Sequence, residues 1–126
     1  MSIEHLTFAQ KLQAAEDTKT SKKRLSELAH CDNSLVRFYV ADNPGTPDST
    51  LREMIKDNYW SVRRALARSR TLPGVYLIML LEYEGTLAQP EAVVLKCLYN
   101  NPNLPTFAKM VMESKYEKWI DVVHVH

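Results

Sequence analysis

A chain of 126 residues, 45% hydrophobic and 25% charged, has the make-up of one ordinary globular domain, which excludes wholesale disorder and leaves little room for a second domain. Sixteen Lys and Arg against fifteen Asp and Glu give a formal charge of +1, so no overall charge imbalance draws the chain to nucleic acid or to an anionic membrane. Three glycines supply too little turn chemistry for a many-stranded sandwich or barrel, and helix is the expectation.

In chain order, Met1–His5 lacks the basic start and apolar run of a signal peptide, and the longest apolar stretch, Val75–Leu81, is far shorter than a membrane-spanning helix. Two isolated cysteines, Cys31 and Cys97, fit a reducing compartment, and the expected location is cytoplasmic. Apolar residues at spacings of three and four predict helices over 3–15, 21–30, 34–41, 47–56, 60–69, 73–83, 90–99, 105–113 and 115–123. Asn33 or Ser34 can cap the third of these, and Asn43-Pro44-Gly45 makes the turn that follows. Thr46 then caps the fourth with Pro47 at its first position, where a missing amide proton costs nothing. Its core-facing stripe is Leu51, Met54 and Ile55, matched in the next copy by Leu77, Leu80 and Leu81.

These elements repeat. Residues 36–47, Val-Arg-Phe-Tyr-Val-Ala-Asp-Asn-Pro-Gly-Thr-Pro, align without gaps on 62–73, Val-Arg-Arg-Ala-Leu-Ala-Arg-Ser-Arg-Thr-Leu-Pro, 26 residues on. A third match, 94–105, follows after 32 residues, so six residues have been added, around Glu82–Thr86, where Gly85 can end a helix. Thr20, Leu25 and Lys11 lie one 26-residue step before Thr46, Leu51 and Arg37 and mark a degenerate opening copy. The expected organisation is one domain, 1–126, with the degenerate copy at about 10–35, clear copies at 36–61 and 62–93, and a divergent copy with a C-terminal cap at 94–126.

Leu28-Ala29 before the turn, Asp32-Asn33, Val-Arg at the following helix and Asn-Pro-x-x-Pro resemble the leucine-rich repeat variant family, and more loosely the HEAT repeats. The resemblance is clearest from Leu25 to Leu81; Asn-Pro becomes Ser69-Arg70 in one copy and Val-Arg becomes Val94-Leu95 in another. It implies an all-α fold, a short right-handed α-solenoid of stacked helix pairs. Some members look like iron–sulfur carriers with clustered cysteines. Two cysteines with no close pair exclude a cluster held by this chain alone, and no cofactor or metal is expected. The ending His124-Val125-His126 reads as a terminal tail rather than a metal site.

Catalytic patterns are missing: there is no Gly-x-Ser-x-Gly elbow, no Gly-rich phosphate loop and no His-Glu-x-x-His helix. His30 and Cys31 are adjacent and point about 100° apart on a helix, which argues against a thiol–imidazole pair. Glu82, Glu84 and Glu91 read as a solvated acidic face around the inserted residues. No enzyme is expected.

Binding surfaces are better supported. Arg37 and Arg63 recur at equivalent positions and are expected to pair with acidic or amide groups of neighbouring turns, such as Asp32, Asp57 or Asn58. Arg63, Arg64, Arg68 and Arg70 crowd one helix and its turn, and Lys22, Lys23 and Arg24 form a second basic cluster. Consecutive aromatics at Phe38-Tyr39 and Tyr59-Trp60, with Tyr116, Trp119 and Ile120 near the C-terminus, cannot all face one core. The leading expectation is a non-enzymatic protein-interaction module, an adaptor or inhibitor, contacting another protein through Tyr39, Trp60, Arg64 and Arg68. The alternative is a nucleic-acid binder using Lys22, Lys23 and Arg24 with Arg63 and Arg70. A third is an enzyme whose site carries no recognisable motif and forms across a homodimer, with Val122-Val123 sealing one end or pairing with a second copy.

Overall fold

The computed structural model describes residues 3–120, all-helical and without strand among them. Val122-Val123, the His124-Val125-His126 ending and the last three residues of the predicted helix 115–123 lie outside the described residues; over 116–120 the chain forms turns instead of that helix, the Trp119 and Ile120 amides both donating to the Tyr116 carbonyl. Among the described residues eight α-helices follow one another: α1 (Phe8–Glu16), α2 (Lys22–Leu28), α3 (Ser34–Asp42), α4 (Asp48–Glu53, extended by a 3-10 turn at Met54–Lys56), α5 (Trp60–Ala67), α6 (Gly74–Thr86), α7 (Ala92–Tyr99) and α8 (Thr106–Lys115). None is long and apolar enough to cross a membrane.

Local chemistry sets the boundaries. The first helix begins at Phe8 rather than Ile3 because Thr7 and Gln10 form a reciprocal capping box, which fixes the first turn there. Ser21 and Asn33 cap α2 and α3 by accepting the amides of Arg24 and Leu35. Thr46 does not cap α4 as expected. Pro47, with φ −65° and ψ 149°, takes the cap position, and the Thr46 hydroxyl donates back to the Val40 carbonyl at 2.7 Å, closing the end of α3. Thr20 does the same to Ala14 at 2.6 Å, one 26-residue step earlier, so the opening copy shares a bond with the clear one. Leu72 and Leu104, both buried, replace that threonine in the later copies.

Gly85 does not end α6. The helix runs through it to Thr86, so much of the six-residue addition is extra helix rather than loop. Likewise the predicted break between Glu113 and Lys115 is absent, because α8 continues to Lys115.

The helices pack in a consistent pattern: α1 on α3, α3 on α5 and α5 on α7, while α6 lies against the 3-10 turn, α5 and α7, and α2 touches α1 and α3. The four odd-numbered helices thus form a row. Equivalent positions feed a common core: Val36, Val62 and Val94 on one side, and Leu28, Met54, Leu80 and Met112 on the other, all buried. Full burial of such a side chain contributes about 1.5–3 kcal/mol, which helices of six to thirteen residues need because they are marginal alone.

Candidate functional site

Between neighbouring helices of the row, a small set of polar residues recurs. Arg37 of α3 reaches Asp57 with Nε at 2.8 Å and Nη2 at 3.2 Å, and its Nη1 donates to the carbonyls of Cys31 and Asp32. Hydrogen bonding to Asp57 holds the guanidinium above its ordinary pKa, outweighing the opposing effect of burial, and the attraction of the Asp57 charge adds to it. Arg63, its counterpart on α5, donates through Nε to Glu84 and through Nη1 to the Asp57 carbonyl at 2.7 Å. Asp57 therefore serves two successive arginines, one with its carboxylate and one with its backbone.

Glu84 corrects the sequence reading. Expected on a solvated acidic face, it is fully buried; its second oxygen accepts the Glu91 amide at 3.1 Å. Arg63 is likewise only 4% exposed and is committed to the interior, so it adds nothing to a phosphate-binding surface.

Asparagine supplies the other recurring link. The Asn43 amide nitrogen donates to the carbonyls of Ala15 and Asp17 at 2.8 and 3.0 Å, and that of Asn101 to Ala67 and Ser69 at 2.8 and 2.7 Å. In both, the side-chain oxygen accepts an amide two residues on, from Gly45 or Asn103. Each asparagine thus closes the carbonyl end of the preceding odd helix, whose last groups have no partner within the helix. At the junction between α3 and α5 the equivalent residue is Ser69. Its shorter side chain keeps the local bonds, accepting from Thr71 at 3.3 Å and Leu72 at 3.1 Å, but does not reach back.

The face of the row is where the copies differ. Trp60, Arg64 and Arg68 stand four residues apart and share one side of α5. Trp60 is 44% exposed, and Arg64 is half-buried without an ion pair among the described residues. Arg68 pairs with Asp42 of α3 at 2.9 Å and lies over the Phe38 ring, 5.6 Å from its centre. Tyr39 is half-buried and meets Phe38 edge-on at 5.2 Å. Phe38 and Arg68 thereby join α3 to α5 on this face, a role for Phe38 not foreseen because it was weighed only as one of several aromatics.

The basic character continues toward α7. Arg68, Arg70 and Lys96 line one cleft of about 210 Å³ with Cys97, Asn100, Asn101 and Pro102, and no carboxylate is among its walls. Lys96 was missed because its helix lacks the Val-Arg signature. Lys22 and Lys23 are exposed and Arg24 is half-buried on α2, which packs on α1 and α3, so this cluster and the arginines of α5 belong to different elements. Cys31 is buried, and His30 faces outward toward Glu53 at 3.4 Å. Among the described residues no three His, Cys, Asp or Glu side chains group as metal ligands.

A second apolar surface also escaped the sequence reading. Phe107, Met110 and Val111 of α8 are each more than half exposed, and Phe107 and Val111 border a cleft with Ile78 and Leu81 of α6. No family model, curated protein or solved structure matches this chain.

Proposed function

We propose that the chain is a short right-handed α-solenoid of the leucine-rich repeat variant or HEAT-like kind, working in the cytoplasm as a non-enzymatic protein-interaction module. Four successive helix pairs, the repeated arginine pairs and the recurring asparagine links support the solenoid reading. The observation that carries the function is the α5 face. It presents an exposed Trp60 and an Arg64 that has no ion pair among the described residues, beside the Arg68, Phe38 and Tyr39 edge that joins α3 to α5. Tryptophan, tyrosine and arginine together are the usual anchors of protein interfaces, and the adjoining cleft of Arg68, Arg70 and Lys96 favours a partner with acidic groups.

The test is co-purification of bound protein by the wild-type chain and by the Trp60→Ala/Arg64→Ala variant. Loss of a specific partner, with helix content and melting temperature kept, supports the assignment. Undiminished binding by the folded variant sinks it. The same cleft, through Arg68, Arg70 and Lys96, supports a second reading, nucleic-acid binding. A gel-shift series over salt separates the two, because phosphate binding weakens steeply as counterions are added.

A further inference from the structure

The asparagine links leave one gap. At the junctions of α1 with α3 and of α5 with α7, a side-chain amide of this chain occupies the space between the helix ends and donates to two carbonyls. Between α3 and α5 the corresponding carbonyls are those of Ala41 and Asn43, and no side chain among the described residues donates to either. Asn43 still accepts the Thr46 amide within its own turn. A cleft of about 350 Å³ opens here, lined by Ala41, Asp42, Asn43, Arg68, Ser69 and Arg70 among others. Where Asn101 fills the next junction, the cleft is about 210 Å³.

We infer that the cleft between the C-terminal ends of α3 and α5 is a docking slot for an asparagine side chain presented by a partner polypeptide, which takes the place the repeat gives elsewhere to its own asparagine. The walls select the chemistry. Two carbonyl oxygens call for an N–H₂ donor and repel a carboxylate. Asp42 on the same wall is paired with Arg68, so the charge left over is that of Arg70, which has no ion pair among the described residues, repels an ammonium and calls for an acceptor. A neutral primary amide carries both functions in one planar group. In the filled junctions the docking asparagine is followed by proline, Asn43-Pro44 and Asn101-Pro102, so a turn of that kind is the form the slot is shaped to receive. The inference rests on the reading of the odd-helix row as a partner-binding face and specifies one contact within it, since Arg68 borders both.

The probe is the acetylated and amidated pentapeptide Asn-Pro-Asn-Leu-Pro, the sequence of residues 101–105, titrated into the isotope-labelled full chain while backbone amide resonances are followed. The expected result is saturable shifts at residues 41–43 and 68–71. Replacing the first asparagine of the peptide by alanine should weaken binding about tenfold, the effect of losing its hydrogen bonds. The Ser69→Asn chain, whose own amide can fill the slot, should bind about tenfold more weakly and melt at a higher temperature. Ser69→Ala, which leaves the slot open, should bind as the wild type does. Shifts absent at the slot, shifts undiminished in Ser69→Asn, or a Ser69→Asn chain that melts lower than wild type would each overturn the proposal. Shifts confined to Trp60 and Arg64 would overturn the slot and leave the interaction face standing. Binding at the slot, with partner capture untouched by Trp60→Ala/Arg64→Ala, would support the slot and remove that site assignment.

Discussion

Glu84 and Arg63 meet inside the core, with the Glu84 side chain wholly shielded from water and that of Arg63 5% exposed. Their charges are tolerable only together, because each alone would be an uncompensated ion in a poorly polarisable interior. Glu84→Leu should destabilise the fold by about 3–5 kcal/mol, and the double variant Arg63→Met/Glu84→Leu should recover most of that loss. Urea denaturation midpoints of the three proteins measure it. A double variant no better than the single would show that the arginine charge is not what the carboxylate offsets.

Arg37 fills a different requirement, since Asp57, Cys31 and Asp32 engage three of its nitrogens in one plane. Lysine cannot reproduce that fork, and Arg37→Lys should cost about 1–3 kcal/mol. The pH dependence has a definite sign. A base whose pKa is raised on folding contributes stability that is full below its unfolded pKa and fades as pH climbs through the folded one. For this arginine both lie beyond the working range, so its contribution should be flat from about pH 6 to about pH 10. Melting curves over that range check it. A steep fall near neutrality, absent from Arg37→Lys, would contradict the assignment.

The asparagines should behave as independent fasteners. Asn43→Ala and Asn101→Ala each leave two carbonyls and a turn amide without their side-chain partner, costing about 1–3 kcal/mol apiece. Because they tie different helix pairs, the double variant should be additive within about 0.5 kcal/mol. Asn43→Asp should be worse than Asn43→Ala, since a carboxylate would face carbonyl oxygens. Chemical denaturation of the set, at constant slope, is the readout.

Two glycines separate space from conformation. Neither Gly45 nor Gly74 has positive φ, so neither is needed for a left-handed backbone. At Gly74 an added methyl group would sit 2.6 Å from the Asn103 carbonyl oxygen, which belongs to backbone and cannot swing aside. Gly74→Ala should cost about 1–3 kcal/mol. At Gly45 the nearest atoms are at 3.2 and 3.3 Å, and the loss should be smaller. Paired thermal melts rank the two; equal effects would refute the steric argument.

Much of the helix order was legible because a few residues recur in register: Val-Arg inside α3 and α5, Asn-Pro after α3 and α7, and proline ahead of α4, α6 and α8. What repetition could not show was anything occurring once. Asp57 was named as a partner for arginine, yet the position 26 residues later is Tyr83, and the acid that receives Arg63 is Glu84, in the added residues. Its acidic neighbours made Glu84 look solvated, and only the fold turns it inward. Thr46 misled in the opposite way. A hydroxyl before proline has the chemistry of a helix cap, but the same hydroxyl can return to the helix just finished, and sequence alone does not say which. Of the proposed interaction face, Trp60, Arg64 and Arg68 can be placed on one side of α5 from their spacing, whereas Lys96 and Phe38 join them only through packing between helices.

The extra length of α6 has a practical meaning for anyone wishing to edit this chain. Asn101 reaches the end of α5 with the same pair of bonds by which Asn43 reaches the end of α1, although six more residues intervene. A fastener that joins a turn to the helix beside it is indifferent to how much polypeptide is spooled out between them. A tag, a reporter or a foreign loop spliced into residues 87–90, ahead of the Glu91 amide that Glu84 holds, should therefore leave the row of odd helices in alignment.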